Sequence, residues 1–185
     1  MSENDTSRYD AAIRRNLAEL QRALLNRRAM VAMEAVGGIT DDILKVIYYA
    51  LFNDYISHCI KVFERSSGAA SFWYVYDTNQ KPINQYARKH HIDIGAFEPL
   101  VEKLKHVRDK THFHIDRDAV LNSNVVWREA GLNGQELAAA VDNAWELLNA
   151  LQEHLGRDPL DLPPFDDDVM IRVTKLIEAG RVPQT

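Results

Sequence analysis

The sequence predicts an all-α fold, and three observations carry that expectation. Apolar residues recur three and four positions apart over several long stretches, which is the stripe of an amphipathic helix. Capping and breaking residues punctuate those stretches. A single short run, Phe72-Trp73-Tyr74-Val75-Tyr76, has strand-like composition, and no partner strand is visible for it, so a short helix or buried connection is expected there. No repeat, low-complexity tract or Gly-rich phosphate loop interrupts the pattern, and the spacing as a whole reads as a helical bundle.

From about Arg8 to Glu34 the residues Ile13, Leu17, Leu20, Ala23, Leu24, Val31 and Ala35 mark a first helix, ended by Gly37-Gly38. Thr40-Asp41-Asp42 offers an N-cap and an acidic first turn to a second. Its stripe of Ile43, Ile47, Ala50, Leu51, Ile56 and Ile60 runs to about Arg65, and Ser66-Ser67-Gly68 closes it. Pro82 suits the first turn of a short helix reaching about His90, while Gly95 and Pro99 bracket the start of the next. Leu132-Asn133-Gly134 precedes a regular stripe of Leu137, Ala140, Val141, Ala144, Leu147, Leu148 and Leu151, stopped by Gly156. Asp166-Asp167-Asp168 resembles a metal cluster but reads better as the cap of a short C-terminal helix with Val169, Val173, Leu176 and Ile177, ending at Gly180.

The 185 residues suit one domain, 1–185, with 1–7 and 181–185 expected as flexible tails; a chain of this length buries roughly 70% of its unfolded surface without a disulfide or metal. Cys59 stands alone, which excludes an internal disulfide, fits a reducing compartment and reads as a small core residue. No apolar run follows a basic start, and none is long enough to span a bilayer, so a soluble, cytoplasmic protein without membrane contact is expected. The formal net charge of -5 argues against a protein that coats nucleic acid through dense Lys/Arg contacts. A compact site needs only a local basic focus, and Lys81 to Arg117 holds eight Lys or Arg and five His. Without a motif those charges would be read as a solvated helix face.

The densest run of cationic, imidazole and carboxylate groups is Arg108-Asp109-Lys110-Thr111-His112-Phe113-His114-Ile115-Asp116, at the end of a strongly periodic helix. At about 100° per residue, Phe97, Leu100, Val101, Leu104, Val107, Thr111 and Ile115 form one stripe, with Arg108 and His114 on opposite flanks. On an ideal helix Arg108 neighbours His112, and Asp109 also lies three before it, so His114 needs another element or subunit to meet the Arg. Phe113 points away from the core stripe, which suggests that a partner chain covers that face.

An Arg followed by a polar residue, with a His six positions beyond the Arg, resembles the signature of HEPN domains, small α-helical modules many of which are metal-independent ribonucleases. The fuller pattern Arg-Asp-Lys-x-x-x-His-x-Asp is most similar to the abortive-infection (AbiU-like) branch, from which it departs in carrying Phe113 where a small residue usually precedes the His. The resemblance implies an up-and-down bundle of four to five long helices and a homodimer with its motif helices side by side. It implies no cofactor or metal, and RNA and a cognate antitoxin protein as partners. It assigns catalysis to Arg108 and His114, with Asp109 orienting the pair and His112, Lys110, Asp116 and Lys105 as accessory or RNA-binding groups. The function implied is a toxin or phage-defence endoribonuclease; the alternative is an inactive HEPN-like module that binds a nucleotide or a protein.

The chemistry fits the residue types. Imidazole titrates near pH 7 and suits proton transfer from a ribose 2′-hydroxyl. A guanidinium stays charged and grips two phosphate oxygens at once. Rival readings are weaker on their own terms. Thr111-His112-Phe113-His114-Ile115-Asp116 also resembles the zinc-ligating run of metallo-β-lactamase-type hydrolases, but Arg117 stands where the last His belongs and the β-rich sandwich is missing. His90-His91 reads as a pair of dipole partners at a helix end. A serine beside His58 on a helix, Ser57, would face away from it. Trp73, Trp127 and Trp145 read as core or interface anchors.

Overall fold

The protein is described by a computed structural model covering residues 3–37, 39–112 and 123–180. Its spine is α1 (Glu3–Glu34), which begins before the expected Arg8, so 3–7 form helix and not a tail. The other elements are α2 (Asp42–Phe63), α3 (Phe72–Thr78), α4 (Gln80–His90), a 3₁₀ turn (Ile94–Phe97), α5 (Glu98–Val107), a π-helical turn (Arg108–His112), α6 (Ser123–Ala130), α7 (Gly134–His154) and α8 (Asp167–Ala179). Among the described residues there is no strand, and the fold is an all-α bundle. No described helix is long and apolar enough to cross a membrane. Helix α1 packs along α2 and also carries α3, α7 and α8, while α5 lies against α2 and α6.

The caps predicted at Asp41 and Asp166 form, and Asn133 caps α7 in the same way. Asp41 accepts from the amides of Ile43 and Leu44, Asn133 from those of Gln135 and Glu136, and Asp166 from that of Val169 at 2.9 Å. The triple Asp therefore starts α8, and no cluster of His, Cys, Asp and Glu able to hold a metal occurs among the described residues. His91 ends α4 in the left-handed region (φ 57°), and His90 stacks on Tyr86.

The core follows the apolar stripes closely in α7, where all seven predicted residues are buried. In α1 Ile13, Leu17, Leu20, Ala23 and Leu24 are buried, but Val31 is 59% exposed and Ala35 lies beyond the helix in solvent. The expected α2 stripe is half wrong. Ile56 and Ile60 are buried, whereas Ile43 (67%), Ile47 (40%) and Ala50 face solvent. Apart from Leu44, the buried residues of α2 begin at Tyr55, because the first half of the helix has left the shelter of α3 and α5. Helix α6, for which no periodic signal was read, packs on α5 and sets Trp127 against Phe52 at 5.1 Å.

The aromatic run becomes α3. Phe72 and Trp73 are buried, and the rings of Phe63, Phe72 and Phe97 meet at 5.3–6.5 Å, tying α2, α3 and the start of α5 together. Trp127 and Trp145 pack against the same core. Cys59 is fully buried, and loss of solvent pushes its thiol up to about 12, which fits a core residue.

A polar cluster is built into the α1–α2 interface. His58, 3% exposed, has Nδ1 2.5 Å from Glu19 Oε2 and Nε2 3.1 Å from Asp54 Oδ2. Lys61 Nζ donates to the same Glu19 oxygen at 3.3 Å. Arg15 Nη2 lies 2.6 Å from Glu19 Oε1, an ion pair whose angle is too poor for a hydrogen bond. Asn26 donates to Asp54 at 2.8 Å. Burial opposes ionisation of Glu19, but hydrogen bonds from His58 and Lys61 outweigh it and hold the carboxyl below its usual range; Asp54 is lowered likewise against its own burial, by Asn26 and His58.

A carboxylate whose folded pKa is depressed stabilises the fold above its unfolded value, near 4, and loses that contribution as pH falls through the folded pKa. Stability in urea should therefore decline steeply below about pH 4, and Glu19→Gln should flatten that decline. At pH 7 the variant should lose on the order of 3 kcal/mol, because His58 and Lys61 keep their donors beside a neutral amide. A variant as stable as the parent at pH 7 would show that the cluster does not hold α1 to α2.

Candidate functional site

Phe97 at the end of the 3₁₀ turn and Leu100, Leu104 and Val107 of α5 face the core as the expected stripe requires, with Val101 half-buried beside them. The ideal helix stops there. From Arg108 to His112 the backbone widens into a π-helical turn, so angular positions extrapolated at 100° per residue do not extend to the motif. Short π segments occur often at functional sites, where they re-aim side chains that α geometry would direct elsewhere.

Arg108 is the first residue of that turn. Its Nε donates to Asp109 Oδ1 at 2.8 Å, and its Nη1 donates to Glu64 Oε1 at 2.9 Å, just past the end of α2. The hydrogen bond to Asp109 raises the guanidinium above its ordinary pKa; burial opposes the rise, and the charges of Asp109 and Glu64 add to it. Its side chain is 24% exposed, so the group is held from two sides and still reaches solvent.

Beside it lies a cavity of about 140 Å³ between the end of α2 and α5. Ile60, Phe63, Val101 and Leu104 give it an apolar floor; Arg108, Lys105, Arg65, Glu64 and Ser66 stand at its wall. Arg65 is fixed in turn by Glu98 at 2.9 Å and by the Trp73 face, 4.5 Å from its guanidinium carbon. Lys105 is 3.8 Å from Glu102, a loose surface pair.

The structure thus brings Arg108 and Lys105 to one cavity, with Asp109 bonded to Arg108 beside it, and places Lys110 and His112 in the same turn as Arg108. His114 and Asp116, like Phe113, lie outside the described residues. Glu64, Arg65 and Ser66 join the site from α2 and the segment after it, and sequence reasoning missed them as site residues. Glu64 and Arg65 follow buried Val62 and Phe63 at a helix end, and no spacing rule connects position 64 with position 108. The zinc-hydrolase reading has no β-sandwich to support it among the described elements.

Comparison with family models, with curated proteins and with solved structures finds no match to this chain. The functional reading therefore rests on the residues themselves.

The partly exposed setting of Arg108 separates a stability role from a chemical one. Arg108→Ala should lower unfolding stability by no more than about 1 kcal/mol, the usual worth of an accessible ion pair. A loss above about 3 kcal/mol in urea denaturation, the range of a broken buried pair, would mark Arg108 as a structural residue.

Proposed function

We propose that the chain is a metal-independent endoribonuclease of HEPN type, acting as a toxin or phage-defence effector. The observation that carries this reading is Arg108, gripped by Glu64 and Asp109 at the mouth of a cavity with further cations beside it. A guanidinium oriented in this way offers its remaining donors to a phosphate without having to reorganise as charge develops.

In the proposed reaction the ribose 2′-oxygen attacks the adjacent phosphorus and the P–O5′ bond breaks. His114 takes the 2′-hydroxyl proton as general base, an acid returns a proton to O5′, and the products are a 2′,3′-cyclic phosphate and a 5′-hydroxyl. Arg108 stabilises the phosphorane charge. Asp109 orients the guanidinium, and Lys105, Lys110, His112 and Asp116 are accessory or RNA-contacting groups. The reaction balances without a metal or cofactor.

One feature favours the second reading, an inactive module that binds a nucleotide or a protein. Arg108 already faces two carboxylates, which weaken its field at a third anion. Assays on a fluorescent RNA decide between the two. Cleavage should persist in EDTA and leave cyclic phosphate ends, and Arg108→Ala and His114→Ala should each reduce it about a hundredfold while helical content is kept. His112→Ala tests the alignment: if it abolishes cleavage and His114→Ala does not, the inherited roles are displaced by two residues. Binding without cleavage would favour the module, and cleavage lost to EDTA and restored by zinc would favour a metal hydrolase.

A homodimer belongs to the same proposal. Ile43, Val46 and Ile47 form an exposed apolar stripe of the kind a second copy covers. Light scattering at micromolar concentrations should give twice the 21.1 kDa chain mass, and a monomer throughout that range would overturn the homodimer.

A further inference from the structure

Ser66, Ser67 and Gly68 form a ridge between two depressions. Ser66 lines the cavity that holds Arg108, while Ser67 and Gly68 line a shallow groove of about 410 Å³ on the other side. The far wall of that groove is one face of α1, where Arg8, Ala11, Ala12 and Arg15 fall at positions i, i+3, i+4 and i+7. Ala69 and Ala70 complete the near wall and Tyr74 closes one end.

The groove is built and not merely left over. Asn16, 3% exposed, donates to the Ala12 carbonyl at 2.8 Å and to the Ala70 carbonyl at 2.7 Å, which ties the 67–70 segment down beside α1. Its walls are short side chains, so a backbone can approach closely, and a Cβ placed on Gly68 would meet nothing within 4 Å. Two guanidinium groups bracket it and no carboxylate lines it. Arg15 is shared with Glu19, which anchors that side chain at its own end of the groove.

We infer that this groove is a phosphate-backbone track for single-stranded RNA, continuous over the Ser66–Gly68 ridge with the Arg108 cavity. The inference rests on the ribonuclease reading of that cavity and extends it to the strand on one side of the reacting phosphate. A slender, flexible polyanion is the chemical class that fits: a duplex cannot bend sharply across a three-residue ridge, whereas a single strand follows a cationic groove readily. The restricted track also accords with the net charge of -5, since only a few phosphates would be contacted and the rest of the surface repels nucleic acid.

The test uses the full chain and 2′-O-methyl RNA, whose blocked hydroxyl cannot be cleaved, in a short probe of about four nucleotides and a long one of about twelve, lengths that bracket one and several backbone contacts. Binding is read by fluorescence anisotropy across salt concentrations. Ala11 is exposed in the groove, three residues after Arg8 and four before Arg15, so a Glu there competes for both guanidinium groups and a Lys adds a third cation, while the buried Asn16 keeps its bonds. Ala11→Glu should weaken the long probe tenfold or more and Ala11→Lys should tighten it, with the short probe unchanged by either. Loss of two phosphate contacts in Ala11→Glu should reduce the logarithmic salt slope for the long probe by about 1.4. Affinities for the long probe within twofold of the parent in both variants would overturn the track. If Arg108→Ala weakens both probes while the Ala11 variants change nothing, the track falls and the reading of the cavity stands. If the Ala11 variants act and Arg108→Ala does not, the cavity reading falls and the groove stands as an independent RNA site. A parent chain that binds neither probe overturns both, and circular dichroism confirms that each variant is helical.

Discussion

The α1–α2 pairing is the constraint on which the rest of the structure depends. Helix α1 is the spine, and α2 is the element that brings Glu64, Arg65 and Ser66 up to the motif. The two helices meet through an apolar seam that includes Ile13, Leu17, Leu20, Ile56 and Ile60, a contact that is strong but tolerant of sliding, since apolar surfaces attract without direction. Glu19, His58 and Asp54 supply the direction. A buried imidazole with a carboxylate at each nitrogen is satisfied in one register and left with unmet charge in any other, so the cluster penalises slippage more than it adds to attraction. Whether α2 ends with Glu64 facing Arg108 is decided less than two turns away, at His58.

The same logic runs from the core to the site. Phe63, Phe72 and Phe97 join three elements in one aromatic cluster, and Phe63 is also part of the cavity floor. A residue that packs the core on one side and lines the cavity on the other gives the site a rigid base. Above that base the charged groups are arranged in pairs: Glu64 with Arg108, Glu98 with Arg65, Glu102 with Lys105. Each carboxylate lowers the field that its partner can exert on a ligand, and Glu64 and Glu98, which accept hydrogen bonds, also fix where their partners point. If Arg108 recognises a phosphate, as proposed, fixed direction is worth some loss of field, because a flexible cation would have to be ordered when the ligand arrives.

How much of this could be read beforehand depended on whether the deciding contacts were local. The α7 stripe was fully legible, since a regular helix in the middle of a bundle buries whatever apolar face it has. The caps were legible because an Asp or Asn acts on amides two or three residues away. The first half of α2 was misread. Periodicity shows that Ile43, Ile47 and Ala50 share a face but not that a neighbour exists to cover it, and here the bundle ends before that face is enclosed. Helix α6 is too short to declare itself by period. The π-helical turn was invisible for a related reason: a helical wheel assumes the very geometry that the chain abandons after Val107.

Within the candidate site, the nearness of Arg108 to Asp109 could be read along the chain because the two are adjacent, whereas the bond to Glu64 could not, since 44 positions separate it from the guanidinium it holds. That asymmetry changes how the motif should be understood. Read along the chain, Arg108 is one member of a short run whose partners are the histidines that follow. In three dimensions its partners include Asp109, reached through Nε, and a carboxylate at the end of another helix, reached through Nη1. The orientation of the guanidinium is therefore a property of the α2–α5 contact as much as of the motif. A substitution at Glu64 that keeps the helix but removes the acceptor would release Arg108 on one side and leave the Arg-Asp-Lys run unchanged in sequence, so an intact motif is not by itself an intact site.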